Sequence, residues 1–400
     1  MKTVLINGRV ITPYRELANS GVAVENGKIT EVFQGEYTRP ADQVIDVKGR
    51  YISPGFIDMH THGGGGADYM DGTVEAVMQA AKTHMAHGTT SIMPTTMTST
   101  MEELYTTLDC VKEARGTMQD GPNILGVHME GPYVHPDRCG AQDATYLRIP
   151  EPEEIRELLD YSPVIRRISA APELPHGLEL GRILRDRGIL ASICHSSAMY
   201  EDALSACENG YTLVTHYYSG NTSLERIKAR RTLGMIETAY LIDDLSVELI
   251  SDGIHLPPEL LRLILHGKSM DRIILTTDSM RGAGLPEGLI VKLGSLKNGQ
   301  DTIIEGGVAM MMHRKSYGGS VCTTDRAVRT LVKMVGVSVQ DAVRMISLNP
   351  ARLIGEKTKG IIAPGMDADL CIFDDNITMD GVMVMGNLTV NRLETMEISR

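Results

Sequence analysis

The sequence predicts an α/β protein: a (β/α)₈ TIM barrel carrying a small β-sandwich-like domain assembled from both chain ends. Three observations carry this reading. The 400 residues exceed one compact domain, but suit a barrel of about 250 residues plus an accessory unit. The middle of the chain alternates short apolar runs with amphipathic helical stretches, the pattern of a parallel α/β fold. Both ends depart from that pattern and read as short strands broken by Asn-Gly turns.

In chain order, Val4-Leu5-Ile6, Val22-Ala23-Val24 and Ile29–Val32 are strands, separated by Asn7-Gly8 and Asn26-Gly27. Ala368–Phe373 and Val382–Met385, with Gly386-Asn387 as a turn, match them at the other end. The expected β domain is therefore 1–54 plus 355–400, and the barrel 55–354, since chain ends often lie close together. Eight barrel strands are expected at Gly55–His60, Thr89–Pro94, Ile124–Glu130, Arg167–Ala171, Leu190–His195, Leu213–His216, Ser246–Ile250 and Arg272–Thr277. Helical patterns fall between them, as at Thr73–His87, Pro152–Tyr161, Glu201–Asn209 and Pro258–Gly267. The stretch 281–320 reads as a long irregular excursion. Helices near Asp325–Val335 and Ser338–Ile346 then lead back to the β domain.

Barrels of this kind carry their chemistry at the C-terminal ends of the strands. The first strand runs into His60-Thr61-His62 and the third ends at Glu130. The fifth ends at His195, the sixth at His216 and the eighth at Asp278. Four imidazoles and two carboxylates thus meet on one face, although more than 200 residues of sequence separate them. Residues i and i+2 of an extended strand point to the same side, so His60 and His62 can share one ion. Such donors suit a divalent metal; zinc is the expected ion, and iron, manganese and cobalt also fit. The run Gly63–Gly66 lets backbone approach the site but lacks the Lys-Ser/Thr of a phosphate-binding loop. His84 and His87 lie before the second strand, at the opposite end of the barrel, and read as structural. His128, one layer below Glu130, is either an outer partner of the ligands or plain core.

Composition excludes other classes. With 51 acidic and 39 basic residues the formal charge is −12, and no Lys/Arg run suggests nucleic acid or a membrane surface. No apolar stretch reaches the length of a membrane span, and Met1–Gly8 reads as strand and turn rather than a leader. Six cysteines form no CxxC pair and are expected as reduced thiols of a cytoplasmic protein. The 24 methionines are read as adaptable packing.

Phe56-Ile57-Asp58-Met59-His60-Thr61-His62-Gly63 resembles the signature of the amidohydrolase superfamily. His128–Tyr133, Ala171-Pro172-Glu173, Ser251–His255, Leu275–Ser279, Ala283–Pro286, Gly318-Gly319-Ser320, Asn349–Arg352 and Gly365–Leu370 resemble one branch of it. That branch is the N-acetylglucosamine-6-phosphate deacetylases, and the matches run in order along the chain. The resemblance implies one or two metal ions per subunit. Glu130, His195 and His216 would hold one, and His60 and His62 would help hold a second, with Glu130 bridging. Asp278 would take the proton of the attacking water and pass it to the leaving nitrogen.

By the same resemblance, Ala141, Gln142, Ser219, Gly220, Arg226, Gly253, His255, Tyr317 and Gly318 are expected to contact substrate, and a homodimer is implied in which a basic residue reaches the neighbour's site. Three segments depart from the family. Gly140-Ala141-Gln142 stands where Gly-Ala-His is usual, and Ser219-Gly220-Asn221 where Asn-Ala-Met is usual. Arg226–Arg231 replaces an Arg-Glu-Pro-Gly stretch. The alternatives are the same deacylation on another N-acyl amino sugar or amino acid, a cyclic-amide hydrolase, and a catalytically dead scaffold. The last would have lost ligands, and none is missing.

Overall fold

A computed structural model of the chain describes residues 1–393 and 395–396; residues 394 and 397–400 of the expected terminal domain lie outside it. Its centre is a ring of eight parallel strands. They are β1 (Phe56–Thr61), β2 (Thr89–Thr96), β3 (Val127–Glu130), β4 (Ile165–Ala170), β5 (Leu190–Ile193), β6 (Tyr211–Val214), β7 (Ser246–Ile250) and β8 (Ile273–Thr276). Each pairs with the next in sequence order. The ring closes between β8 and β1 just beyond the strands. There Asp278 N donates to His60 O at 2.9 Å, and Thr61 bridges Ser279. Every residue of β7, Ser246–Ile250, is buried, as expected for a strand covered on both faces.

The helices outside the ring form where the apolar period is 3.6. Pro152–Tyr161 has Pro at its first position, Glu153 and Glu154 in its first turn, and buries Ile155, Leu158 and Leu159 toward the strands. The expected third strand is interrupted. Asn123–Ile124 pairs with β2, the chain steps aside at Gly126, and β3 begins at Val127. Gly126 has φ 149°, and a Cβ there would stand 2.5 Å from Val164 O, so no larger residue fits.

The excursion 281–320 is not irregular. It contains an antiparallel sheet of Ile290–Leu293, Gln300–Glu305, Val308–Met311 and Tyr317–Ser320. Its last strand is tied to the exit of β8, where Met280 N donates to Ser320 O at 2.9 Å. A short helix, Leu348–Leu353, also follows Val339–Ile346.

The chain ends share one folded sheet. Lys2–Ile11 pairs with Glu16–Glu25, and that strand with Lys28–Gln34. The first half of Lys2–Ile11 also pairs with Gln43–Asp46, and its second half with Tyr51–Pro54. One long strand thereby pairs with two others along its second edge, beside a cluster of buried Leu5, Val22, Ile29, Ile52 and Leu370. Tyr51–Pro54 pairs in turn with Leu370–Phe373, joining the two ends of the chain.

Candidate metal centre

All six expected donors converge at the C-terminal mouth of the ring. His60 and His62 lie at the end of β1 and Glu130 ends β3, while His195, His216 and Asp278 each lie two residues past their strands. Those last three share an unusual backbone, with φ of 45°, 29° and 48°. Non-glycine residues are rare in that region and collect at functional sites.

The donor atoms are close. His60 Nε2 and His62 Nε2 face each other at 3.3 Å. Glu130 Oε1 lies 2.9 Å from His216 Nε2 and 3.6 Å from His195 Nε2. Its Oε2 lies 3.3 Å from His62 Nε2, so one carboxylate faces both pairs of histidines. Asp278 Oδ1 stands 3.2 Å from His62 Nε2 and 3.4 Å from His60 Nε2. Lone pairs pointed at one another in a buried space repel unless a cation or a proton sits among them. Two groups, His60 with His62 and Glu130, and Glu130 with His195, His216 and Cys194, bring their donor atoms within 4.8 Å of one another. The donor chemistry and spacing therefore fit a divalent metal. The electrostatics agree. Burial opposes charge on His62, but the carboxylates of Asp278 and Glu130 outweigh it and would hold the free imidazole at about 9. Burial raises Glu130, yet the surrounding histidines hold it well below the usual carboxylate range.

A layer of buried groups beneath the donors escaped the sequence reading. Glu248, from β7, lies 2.8 Å from His60 Nδ1, and Arg167, from β4, donates to its other oxygen. Arg167 is fully buried and also donates to Ser192 Oγ at 3.0 Å and Thr215 Oγ1 at 2.8 Å. This chain of contacts fixes the ring of His60 and the tautomer it presents. Asp58 is likewise buried, accepting from Thr276 Oγ1 at 3.0 Å and Thr277 Oγ1 at 2.6 Å. A charged residue facing into a parallel barrel was the available signal. His128 packs edge-on to His60, with ring centroids 4.6 Å apart, and contacts Ser169 Oγ at 2.6 Å. Burial and Arg167 keep it far below the ordinary histidine value, so it is neutral support. His84, expected at the opposite end of the barrel, instead reaches the site: buried, it contacts Gly63 O at 2.8 Å and Thr61 Oγ1 at 3.1 Å and so holds the turn after His62.

The donors open into a cavity of about 440 Å³, whose lining includes Ala141, Gln142, Ser219, Gly220, His255 and Tyr317. Three other expected contacts do not line it. Arg226 is exposed on a hairpin of Glu225–Ile227 and Arg230–Thr232 that projects from the barrel. Gly253 directs its Cβ position at Thr330 and Met334, and Gly318 at Thr302 and Met311. Gln142 has a different attachment from the one expected. Its amide donates to Glu130 Oε2 at 2.7 Å and accepts from Thr98 N at 2.7 Å, so it holds the Glu130 carboxylate in place. Asp252 accepts from His255 Nδ1 at 2.7 Å, which leaves Nε2 of that ring as its acceptor, and the ring packs on Tyr317. The sequence reading missed Met97, Ile250, Leu293 and Met310 as apolar walls, and Arg314 and Lys315 as positive charges of the lining.

Comparison with known proteins agrees with this geometry. Residues 51–389 match the model of the Amidohydrolase family. The chain is 31% identical over 370 residues to the N-acetylglucosamine-6-phosphate deacetylase of Lysinibacillus sphaericus, covering 92% of this chain and 93% of that one. It is 30% identical to the N-acetylgalactosamine-6-phosphate deacetylase of Escherichia coli O157:H7, covering 84% and 87%. The fold superposes on a mutant N-acetyl-D-glucosamine-6-phosphate deacetylase of Mycobacterium smegmatis, solved in complex with N-acetyl-D-glucosamine-6-phosphate. The TM-score is 0.89 at 28% identity, covering 98% of this chain and 100% of that one.

Proposed function

This chain belongs to the amidohydrolase family, and on that premise we propose that it is a metal-dependent deacetylase of amino sugar 6-phosphates. Its substrate is N-acetylglucosamine-6-phosphate, converted with water to glucosamine-6-phosphate and acetate. The observation that carries the reading is a full set of donors and an acid–base carboxylate at one cavity, in a chain similar over most of its length to enzymes of that name.

His60 and His62 with Glu130, and His195 and His216 with Glu130, would hold one or two divalent ions, and zinc is the ion we assign. Such an ion lowers the pKa of water from about 15.7 toward 7 and polarises the amide carbonyl. Asp278, facing His60 and His62, accepts the proton of the attacking water as its oxygen bonds to the acetyl carbon. The same carboxyl then returns that proton to the amide nitrogen as the C–N bond breaks, because an amine leaves only when protonated. His255, held by Asp252, presents Nε2 to the sugar. Gln142 and Glu248 act through the donors they orient.

The phosphate is the finer question. Lys315 and Arg314 stand on the loop between Val308–Met311 and Tyr317–Ser320, and Arg314 already pairs with Glu305. Lys315 has no ion-pair partner among the described residues and is the charge we assign to the phosphate within one subunit. The exposed Arg226, Lys228, Arg230 and Arg231 of the projecting hairpin suit the arm of a homodimer that reaches a neighbour's cavity. All six cysteines are free thiols, and among the described residues no helix is long and apolar enough to cross a membrane.

The similarity to an N-acetylgalactosamine-6-phosphate deacetylase favours a second reading, the C4 epimer as substrate. Acetate release from both N-acetylhexosamines, each with and without the 6-phosphate, decides between them. Turnover of neither phosphorylated sugar by metal-loaded protein would overturn the proposal.

A further inference from the structure

We infer that Cys194 is a sulfur donor to the metal held by Glu130, His195 and His216. The inference rests on the metal-dependent reading above and adds a donor that lies outside the His, Glu and Asp set.

Cys194 is the first residue past β5 and is fully buried. Its Sγ lies 3.4 Å from Glu130 Oε1 and 3.4 Å from His216 Nε2. The donor atoms of Glu130, Cys194, His195 and His216 all fall within 4.8 Å of one another. The other fully buried cysteines are arranged differently. Cys322 and Cys371 each donate to a single backbone carbonyl, Thr323 O at 3.4 Å and Gly88 O at 3.1 Å. Those are ordinary satisfied thiols. Cys194 instead faces two groups that are themselves ligands. With the ring proton of a neutral His216 on Nδ1, where it donates to Ser219 O at 3.1 Å, Nε2 presents a lone pair, so the single thiol proton cannot serve both neighbours. A cation among the four donors removes that conflict. The thiol proton leaves to solvent when sulfur coordinates. The Glu130 carboxylate and the Cys194 thiolate together then match the charge of one divalent ion.

The consequence is selectivity. A thiolate beside two imidazoles favours zinc, cobalt or iron and disfavours magnesium and manganese, which take oxygen donors. The site is thus biased by a softer atom than the remaining donors supply.

X-ray absorption on the zinc-loaded full chain tests this directly. The expected spectrum contains a metal–sulfur shell at about 2.3 Å beside nitrogen and oxygen at about 2.0–2.2 Å. The cobalt-substituted protein should show a thiolate-to-cobalt charge-transfer band in the near ultraviolet. Cys194→Ala should lose both signals, and its zinc affinity should fall by more than the roughly 10- to 100-fold that losing an outer partner costs. Should the variant not fold, the wild-type spectrum decides alone. A nitrogen- and oxygen-only shell in protein that still deacetylates an amino sugar phosphate would overturn sulfur ligation and leave the deacetylase standing. A sulfur shell in protein that deacetylates nothing would uphold Cys194 as a ligand and overturn the deacetylase.

Discussion

Asp278 and His62 face each other across 3.2 Å, and the proposed reaction turns on what that carboxylate does with one proton. Asp278→Asn keeps the shape and removes the acceptor. It should lower kcat by on the order of 10² or more while leaving substrate affinity close to that of the parent; separate kcat and KM measurements check this. Beneath it, Arg167 and Glu248 form a fully buried ion pair. Arg167→Met strands the Glu248 carboxylate, a change expected to cost about 3–5 kcal/mol of stability, read by urea unfolding. The two sets of residues differed in how well the sequence revealed them. His60, His62, Glu130, His195, His216 and Asp278 were legible because each ends a strand and their residue types share one chemistry. Arg167 and Glu248 were not, because a charge inside a strand has no meaning until the partner across the barrel is known. Gln142 was legible as a site residue but not in its attachment to Glu130, which depends on a loop path.

At the scale of elements, the parallel strands announced themselves by apolar runs between amphipathic helices. The antiparallel sheet of 290–320 did not. Its strands are four to six residues long, and Leu296-Lys297-Asn298-Gly299 and Met312–Ser316 break the alternation that would mark them. That sheet brings Leu293, Met310, Lys315 and Tyr317 to the cavity, so the missed element is the one that shapes the substrate side. A charge-assisted contact to phosphate is worth about 1.5–3 kcal/mol, or roughly 10- to 150-fold. Lys315→Ala should therefore lower kcat/KM for the 6-phosphate sugar by such a factor. The slower reaction of the unphosphorylated sugar should be spared. An equal loss on both sugars would assign Lys315 to the loop's structure instead.

Over the whole molecule, the helix Thr324–Thr330 is one of the joints between the barrel and the sheet of the chain ends, beside direct contacts such as Cys371 to Gly88 O. Arg329 donates to Asn376 O and Ile377 O at 2.9 and 2.8 Å, and Asp325 holds Arg329 at 3.1 Å and His87 at 3.3 Å. Burial pushes the Asp325 carboxyl up, but His87, Thr323 and Arg329 outweigh it and leave it below its ordinary value. A carboxyl lowered by folding stabilises fully above its unfolded value of about 3.9, and that stabilisation is lost as pH falls through the folded value. Asp325→Asn should thus flatten the acid limb of a stability–pH curve below about pH 4 and leave its shape near neutrality unchanged. The closure of the ring carries a further consequence. β1 and β8 meet through the contacts around Thr61, Asp278 and Ser279 and through Asp58, which accepts from Thr276 and Thr277, although more than 200 residues of chain separate them. On the ribosome, five of the six expected donors emerge well before the sixth. In the proposed reaction a nascent chain has no proton carrier until Asp278, residue 278 of 400, has been made. The proposed hydrolase is therefore silent through most of its own synthesis, and its cavity is complete only once the sheet of 290–320 has followed the last barrel strand.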